Sequence, residues 1–151
     1  MIFLTKQQKD RYKIMSRCTC ERYCMQKHSR SSIIISIKSS WDKEPPLVYS
    51  NKDNRVVAIL SLSFDDIDME DDPKFAMNDE DGKRIAEFVK EYYEQVELII
   101  VHCDGGISRS AGIAAGIMRV YEHGDYPVFR NKGKHPNMTC YLKTLKGFGY
   151  I

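Results

Sequence analysis

The chain has 151 residues, the usual size of one domain, and its 42% hydrophobic and 29% charged residues are ordinary for a globular protein. Its net charge of +2 is too small to predict non-specific nucleic-acid binding. No apolar stretch reaches the ~20 residues of a membrane-spanning helix, and the first residues lack a signal-peptide core, so we expect a cytoplasmic protein without a membrane partner. We expect a single domain over residues 1–151, in which 1–11 form a polar N-terminal extension.

The first half of the chain predicts three strands and one helix. The strands are expected at residues 12–15, 32–38 and 55–64, and the helix at roughly 17–28 with Ser16 as its N-cap. The strand at 32–38 is almost continuously apolar, which is typical of a strand buried on both faces. In the loop over 39–54, Trp41 either covers an edge of the core or lines a substrate cleft.

The predicted first helix carries a cluster of cysteines that resembles a metal site. Cys20, Cys24 and His28 would share one helix face at four-residue spacing. Structural zinc sites usually add a second pair of ligands, and no second Cys or His pair follows. We therefore expect no metal, and we interpret Cys18, Cys20 and Cys24 as reduced thiols, with the helix cysteines facing the core.

The second half begins with an acidic loop at residues 65–73 and the clearest helix of the chain. Apolar residues recur in this helix at helical spacing: Ile85, Phe88, Val89, Tyr92, Tyr93 and Val96. Acidic residues favour its N-terminal end: Asp79, Glu80 and Asp81. After a polar connector at 123–134, Pro136 starts a last helix. Its apolar side is expected to hold Met138, Tyr141, Leu142 and Leu145.

Residues 98–121 predict a strand, a tight loop and a helix. The β-branched apolar run at 98–101 indicates a strand buried on both faces. After Arg109, helical spacing relates Ile113, Ile117, Val120 and Tyr121. Gly124 is expected to stop this helix.

The loop between this strand and helix has the composition of an anion site. Gly105 and Gly106 let the backbone turn sharply and aim amide N–H groups into one concavity at a helix N-terminus. A thiolate at such a position beside a cation has a pKa of roughly 3.5–7.5, so Cys103 is a candidate nucleophile. Arg109 supplies a planar fork of donors that matches two phosphate oxygens.

The alternation of strands and helices predicts an α/β fold. We expect a central, mostly parallel sheet of about four or five strands with helices on both faces. In such sheets ligands bind at the carboxyl ends of the strands. The Cys103 loop and the acidic loop both follow strand ends, so they are expected to meet at one site.

Residues 102–110, His-Cys-Asp-Gly-Gly-Ile-Ser-Arg-Ser, resemble the His-Cys-x5-Arg-Ser/Thr signature of the cysteine-dependent protein tyrosine phosphatases, in the compact dual-specificity-like and bacterial tyrosine-phosphatase-like branch. The resemblance covers most of the chain from about Tyr12 and implies that family's fold. Two positions depart from the pattern. Gly105 stands where many relatives carry alanine, and Asp104 is an acid beside an anion site, whose side chain we expect to point away from the phosphate.

The resemblance implies a role for each matching residue. Cys103 is the nucleophile that forms a phosphocysteine, and Ser110 donates to the departing thiolate. Phosphate binding is implied for the loop residues Asp104, Gly105, Gly106, Ile107 and Ser108 together with Arg109. His102 either orients the loop from behind without touching the substrate or simply packs its ring, and Asp66 is chosen as the general acid. Other candidates for that acid remain: Asp65, Asp68, Asp71 and Asp72.

The resemblance implies a metal-independent, cofactor-free phosphatase. Its substrate would be a protein phosphorylated on tyrosine, or on serine and threonine as well, or a small phosphomonoester. The absence of lysine from the loop argues against phosphoinositides. Two alternatives stay open, a catalytically silent phosphate-binding module and a rhodanese-like sulfurtransferase.

Overall fold

The computed structural model describes residues 10–47 and 52–151. The predicted extension at 1–11 therefore lies outside the described residues except for Asp10 and Arg11. The helices and strands are, in chain order, β1 (Tyr12–Ser16), α1 (Arg17–Cys24), β2 (Ser32–Lys38), β3 (Val56–Ser63), α2 (Asp79–Tyr92), β4 (Leu98–Cys103), α3 (Arg109–Glu122), α4 (Tyr126–Phe129) and α5 (Met138–Gly147).

The described strands form one parallel sheet of four, in the order β1-β4-β2-β3. The predicted α/β class and parallel pairing are confirmed. Strand β4 lies between β1 and β2, and every one of its residues is buried. Because the strands are parallel, their carboxyl ends share one edge, and the loop after β4 begins at the centre of that edge.

Helices cover both faces of the sheet, as predicted. On one face, α1 packs Cys20 and Cys24 against Ile34 and Ile100. On the other face, α2, α3 and α5 build the larger core around Ile33, Ile35, Ile37, Ile99, Val101, Ile85, Ile113, Ile117 and Cys140. Isoleucines that alternate along β2 therefore point into two separate apolar layers, which explains its continuous apolar sequence.

The predicted apolar side of α5 is only partly buried. Leu145 is buried and Tyr141 packs against the larger core, as predicted, but Met138 and Leu142 are 46% and 47% exposed, and the helix buries Cys140 and Thr144 in their place. A close approach to α3 causes the difference, since a Cβ built on Gly112 would lie 2.4 Å from the backbone oxygen of Asn137. The missing side chain lets the start of α5 lie against the start of α3, which places Asn137 beside the loop after β4.

Helix α1 ends at Cys24, four residues before the predicted end at His28. The amide of Met25 caps the helix, and the chain then folds back, so that the His28 ring stacks on Tyr23 at a centroid distance of 3.6 Å. His28 Nε2 also lies 2.8 Å from Tyr23 O. The expected common face of cysteines and His28 therefore does not form.

The end of α3 and the connector that follows it also differ from the expectation. Helix α3 ends at Glu122, because His123 takes the left-handed conformation (φ 57°) that we expected of Gly124. The connector at 123–134 is not wholly irregular, since it contains α4 and buries Val128 in the larger core. Among the described residues, none of the helices combines the length and apolar character needed to span a bilayer.

Candidate active site

The loop between β4 and α3 is held from outside through its carbonyl oxygens. Four of these oxygens accept hydrogen bonds from neighbouring segments. The pairs are Arg17 N to Asp104 O (3.3 Å), Lys134 Nζ to Gly106 O (2.5 Å), His135 N to Ile107 O (2.9 Å) and Asn137 N to Ser108 O (3.0 Å). In a trans peptide the N–H points opposite to the C=O. Outward carbonyls therefore turn the amides of Gly105, Ile107, Ser108 and Arg109 toward the inside of the loop.

Gly106 is the position where this loop requires glycine. Its φ is +69°, in the left-handed region, and an added Cβ would lie 2.4 Å from the carbonyl carbon of Met15. Gly105 differs, because a Cβ there would meet only Ile107 Cδ1 at 3.9 Å. The turn thus packs against the end of β1, and a side chain would clash there at Gly106 but not at Gly105.

The Cys103 side chain lies inside this loop and is 2% exposed. Its Sγ lies 3.2 Å from Ser110 Oγ, and the amide of Gly106 donates to it at 3.3 Å. Burial raises the pKa of the Cys103 thiol, while the hydroxyl and amide of Ser110, the Gly106 amide and the charge of Arg109 lower it. The lowering groups prevail, so the pKa lies below the ordinary value of a thiol.

His102 lies behind the loop and is fully buried. Its Nε2 lies 2.6 Å from Ser36 Oγ on β2, and its Nδ1 lies 3.3 Å from Cys103 O. Burial lowers the pKa of His102 to about 4, so the ring is neutral at physiological pH. A neutral ring fixed to β2 orients the end of β4 without adding charge to the site.

Arg109 is buried at the first position of α3, and its side chain is 6% exposed. Nη1 donates to Ser39 Oγ at 3.0 Å and to Phe64 O at 2.8 Å, and Nη2 donates to Asp104 Oδ2 at 3.2 Å. Nε is buried and has no acceptor among the described residues. Ser39 Oγ in turn donates to Asp104 Oδ2 at 2.9 Å, so these two acceptors lie side by side at the Nη1–Nη2 end of the guanidinium. The Nε–H and the second Nη2–H, on the adjacent side, remain available to a ligand.

The Asp104 carboxylate contacts the phosphate-clamp arginine. It forms an ion pair with Arg109 and accepts the hydroxyl of Ser39. The pairing is possible because the loop turns back immediately after Cys103, which brings Asp104 to the end of the arginine side chain. The carboxylate thus orients the guanidinium through its Nη1–Nη2 end, the edge next to the free fork. That the carboxylate points away from a bound phosphate stays a prediction.

Asp66 is tied directly to the loop. Its Oδ1 accepts hydrogen bonds from Ser108 Oγ at 2.7 Å and from Asn137 Nδ2 at 2.9 Å. Its Oδ2 accepts none from the described residues, and the residue is exposed. The acidic loop and the Cys103 loop therefore meet at the edge of the sheet, and Asp66 presents one free carboxylate oxygen there.

The other aspartates of the acidic loop have different partners. Asp65 Oδ1 accepts from Ser40 N at 2.7 Å, Asp68 Oδ1 from Thr139 Oγ1 at 3.4 Å and Asp72 Oδ1 from Lys74 N at 3.3 Å. Among the described residues, Asp66 is thus the member of this group that contacts the Cys103 loop.

Several residues of the site were not predicted from the sequence. Ser39 and Ser36 come from β2 and the turn after it, and Lys134 and Asn137 come from the segment before α5. Asn137 had a detectable signal, since it follows Pro136 at a helix start and does cap α5. Lys134 stands in a polar stretch with no such pattern.

The structure offers no cluster for a metal ion in the part of the chain that it describes, where no group of three or more His, Cys, Asp or Glu residues is suitably placed. The candidate anion site instead consists of amides, one guanidinium and one thiol. Such groups can hold an oxyanion and attack it.

Two solved structures resemble this one over most of their length. Tk-PTP in its active form is 14% identical with a TM-score of 0.54, and the match covers 93% of this chain and 91% of that chain. The human tyrosine phosphatase-like serine/threonine/tyrosine-interacting protein is 16% identical with a TM-score of 0.54, and the match covers 80% and 78%. No protein-family model and no curated protein sequence matches the chain. The chain therefore has the fold of the protein tyrosine phosphatases.

Proposed function

We propose that this protein is a cysteine-dependent phosphomonoester hydrolase, a protein-tyrosine or dual-specificity phosphatase that acts through a phosphocysteine intermediate. The proposal is carried by one observation: Arg109 Nε is buried and has no acceptor among the described residues. The same loop holds Cys103, a thiol of lowered pKa. A buried donor without a partner is costly, and a bound oxyanion would remove that cost.

In the first step the Cys103 thiolate attacks phosphorus and the bond from phosphorus to the leaving oxygen breaks. The loop amides and the Arg109 fork bind the equatorial oxygens, whose negative charge is the main quantity to stabilise. Asp66 is the proposed acid, because Ser108 and Asn137 fix Oδ1 and leave Oδ2 to deliver the proton to the leaving oxygen.

In the second step water attacks the phosphocysteine, and Asp66, now ionised, accepts a proton from that water. Sulfur leaves as a thiolate, and Ser110 Oγ, 3.2 Å from Sγ, donates a hydrogen bond to it. The amides and the guanidinium perform the charge neutralisation, so the mechanism uses no metal or cofactor.

A cytoplasmic location stays a prediction, which fractionation of cells would test.

The test is turnover of para-nitrophenyl phosphate with and without vanadate. We expect vanadate-sensitive hydrolysis by the wild-type protein, no turnover by Cys103→Ser, and retained phosphate binding by that variant in calorimetry. Normal turnover by Cys103→Ser would eliminate the mechanism. Consumption of thiosulfate in place of phosphate ester would show a sulfurtransferase instead.

The Asp104 pairing favours a second candidate, a phosphate-binding module without turnover. A carboxylate 3.2 Å from Arg109 Nη2 lowers the positive charge that the clamp offers to the transition state. One protein of similar fold is named as a phosphatase-like interacting protein. Phosphate binding by the wild-type protein without hydrolysis of any ester would support this candidate over the enzyme.

A further inference from the structure

Lys134 is a half-buried lysine whose ammonium contacts the loop that carries Cys103. Its Nζ donates to Gly106 O at 2.5 Å. The other three loop oxygens that are held from neighbouring segments accept from backbone amides. A charged donor forms a shorter and stronger hydrogen bond than a neutral amide does. The loop therefore binds a cation at one carbonyl, where an amide would have satisfied the same oxygen.

The backbone around Lys134 is held in place. Its amide donates to Asn131 O at 3.0 Å, and the Gly133 amide donates to Asn131 Oδ1 at 2.9 Å, which closes the turn that ends at Lys134. The next residue, His135, donates its amide to Ile107 O at 2.9 Å. Because the backbone is fixed between this turn and the loop, the lysine side chain needs little further ordering to reach the loop.

The charges around the loop leave a place for a second cation. Asp104 is paired with Arg109 at 3.2 Å, and Asp66 accepts the hydroxyl of Ser108 at 2.7 Å, so two carboxylates flank the candidate anion site. Each carboxylate repels a bound anion when it is ionised. Among the described residues, no carboxylate forms an ion pair with the Lys134 ammonium. Its positive charge is therefore not cancelled by a neighbouring acid.

The contact at Gly106 O reaches the inside of the loop through one peptide unit. The Gly106 carbonyl and the Ile107 N–H belong to the same unit and point in opposite directions. A cation on the oxygen polarises the unit, which makes the N–H a stronger donor. From Nζ through this peptide to an anion oxygen hydrogen-bonded to Ile107 N, the distance is at most about 8 Å. That length is close to the Debye length at physiological ionic strength, so the ammonium attracts the anion with only partial screening.

We propose that Lys134 is a positioning residue that strengthens oxyanion binding in the Cys103 loop through the Gly106–Ile107 peptide. The inference rests on the proposed function and adds a cation outside the loop to its anion site. Lys134 acts through the peptide and does not touch the substrate. Its charge offsets part of the repulsion from Asp104 and Asp66, which explains how a loop with an acid beside its arginine can still bind phosphate.

The first measurement is calorimetric titration of inorganic phosphate into the Cys103→Ser variant, which needs no turnover. Adding Lys134→Met to this parent should weaken phosphate binding roughly 3- to 10-fold, the effect of one partly screened charge at this distance. Lys134→Arg should restore the affinity of the parent, because it keeps both the charge and the donor. Lys132→Met is the matched control, since it removes an exposed lysine from the same turn, and we expect the affinity of the parent from it.

Salt dependence separates the charge of Lys134 from simple anchoring of the loop. The titrations are repeated in about 0.1 M and 1 M sodium chloride, between which the Debye length falls from about 10 Å to about 3 Å. The ratio of the dissociation constants of Lys134→Met and its parent should fall toward one in high salt. A loss of affinity that is the same at both salt concentrations would mean lost anchoring and would overturn the proposal.

Kinetics with Cys103 present gives a second readout. An ammonium that attracts substrate and transition state alike contributes uniform binding, so Lys134→Met should raise KM for para-nitrophenyl phosphate by a similar factor and change kcat less than about 2-fold. A lower kcat with unchanged KM would show a distorted loop and would refute the proposed role. If Lys134→Met fails to unfold cooperatively on heating, Lys134→Gln replaces it, because glutamine stays polar at this half-buried position without the charge.

The two failures are distinguishable. If the wild-type protein hydrolyses no phosphomonoester but Lys134→Met binds phosphate more weakly than its parent, the proposed hydrolase fails and the role of Lys134 stands. If the wild-type protein is active but the Cys103→Ser parent binds no phosphate, or Lys134→Met binds it as tightly as that parent, the role of Lys134 is refuted and the hydrolase remains. Equal losses in Lys134→Met and Lys134→Arg would refute it as well.

Discussion

Arg109 illustrates how a single side chain can be both fixed and available. An arginine has five N–H donors, and the bonds to Ser39, Phe64 and Asp104 use three of them, which leaves two. The sequence predicted that Arg109 would offer its charged guanidinium to a phosphate. It could not predict which donors the protein would use, because Ser39 and Phe64 are 70 and 45 residues away along the chain.

At the residue scale we predict that Asp66→Asn lowers kcat on esters with poor leaving groups about 10²–10⁴-fold, the usual contribution of a general acid. Asparagine keeps the Oδ1 acceptor for Ser108 and Asn137, so the loop contact is retained while the proton is lost. Steady-state rates on aryl phosphates with graded leaving groups measure the effect. The loss should shrink as the leaving group becomes more acidic.

Asp71→Asn is the matched control for this acid, because it makes the same chemical change in the same loop without the contact to Ser108. We expect wild-type rates from it. If Asp71→Asn loses activity and Asp66→Asn keeps it, the assignment of the acid is wrong.

At the scale of elements, the unit of β4, loop and α3 was predictable because its signals are local. A buried apolar strand, two glycines and a small-residue helix follow one another within 98–121. The residues that orient the loop amides lie far from the loop in the sequence. Lys134, His135 and Asn137 hold its carbonyls from the segment before α5. Asn137 follows Pro136 at a helix start and is recognisable as a cap, but no sequence pattern marks Lys134 or His135 as partners of the loop.

The two loop glycines give a matched pair of substitutions. Gly106→Ala should destabilise the protein by about 1–3 kcal/mol and abolish phosphate binding, since it forces a Cβ against the Met15 carbonyl at positive φ. Gly105→Ala should fold and bind phosphate like the wild-type protein, because its Cβ meets only Ile107 at ordinary contact distance. Thermal unfolding and phosphate titration measure both. Equal behaviour of the two variants would contradict the described loop.

At the scale of the whole molecule, the sequence predicted the sheet better than the helix packing. Continuous apolar runs mark buried parallel strands, and parallel strands bring their carboxyl ends together, so the meeting of the two loops followed from topology. The buried face of α5 did not follow. It depends on how closely α5 approaches Gly112 and Gly116, where added Cβ atoms would lie 2.4 Å from Asn137 O and 2.8 Å from Thr144 Cγ2. The spacing of apolar residues along one helix does not predict how closely a second helix approaches it.

The proposed mechanism depends on a Cys103 sulfur that is ionised when an oxyanion is bound. The most direct measurement is the rate of alkylation of Cys103 by iodoacetamide as a function of pH, with the modified residue identified by mass spectrometry. We predict a midpoint below that of a free thiol, a higher midpoint in Ser110→Ala, and protection by inorganic phosphate. A midpoint at or above that of a free thiol, with no protection by phosphate, would contradict the account.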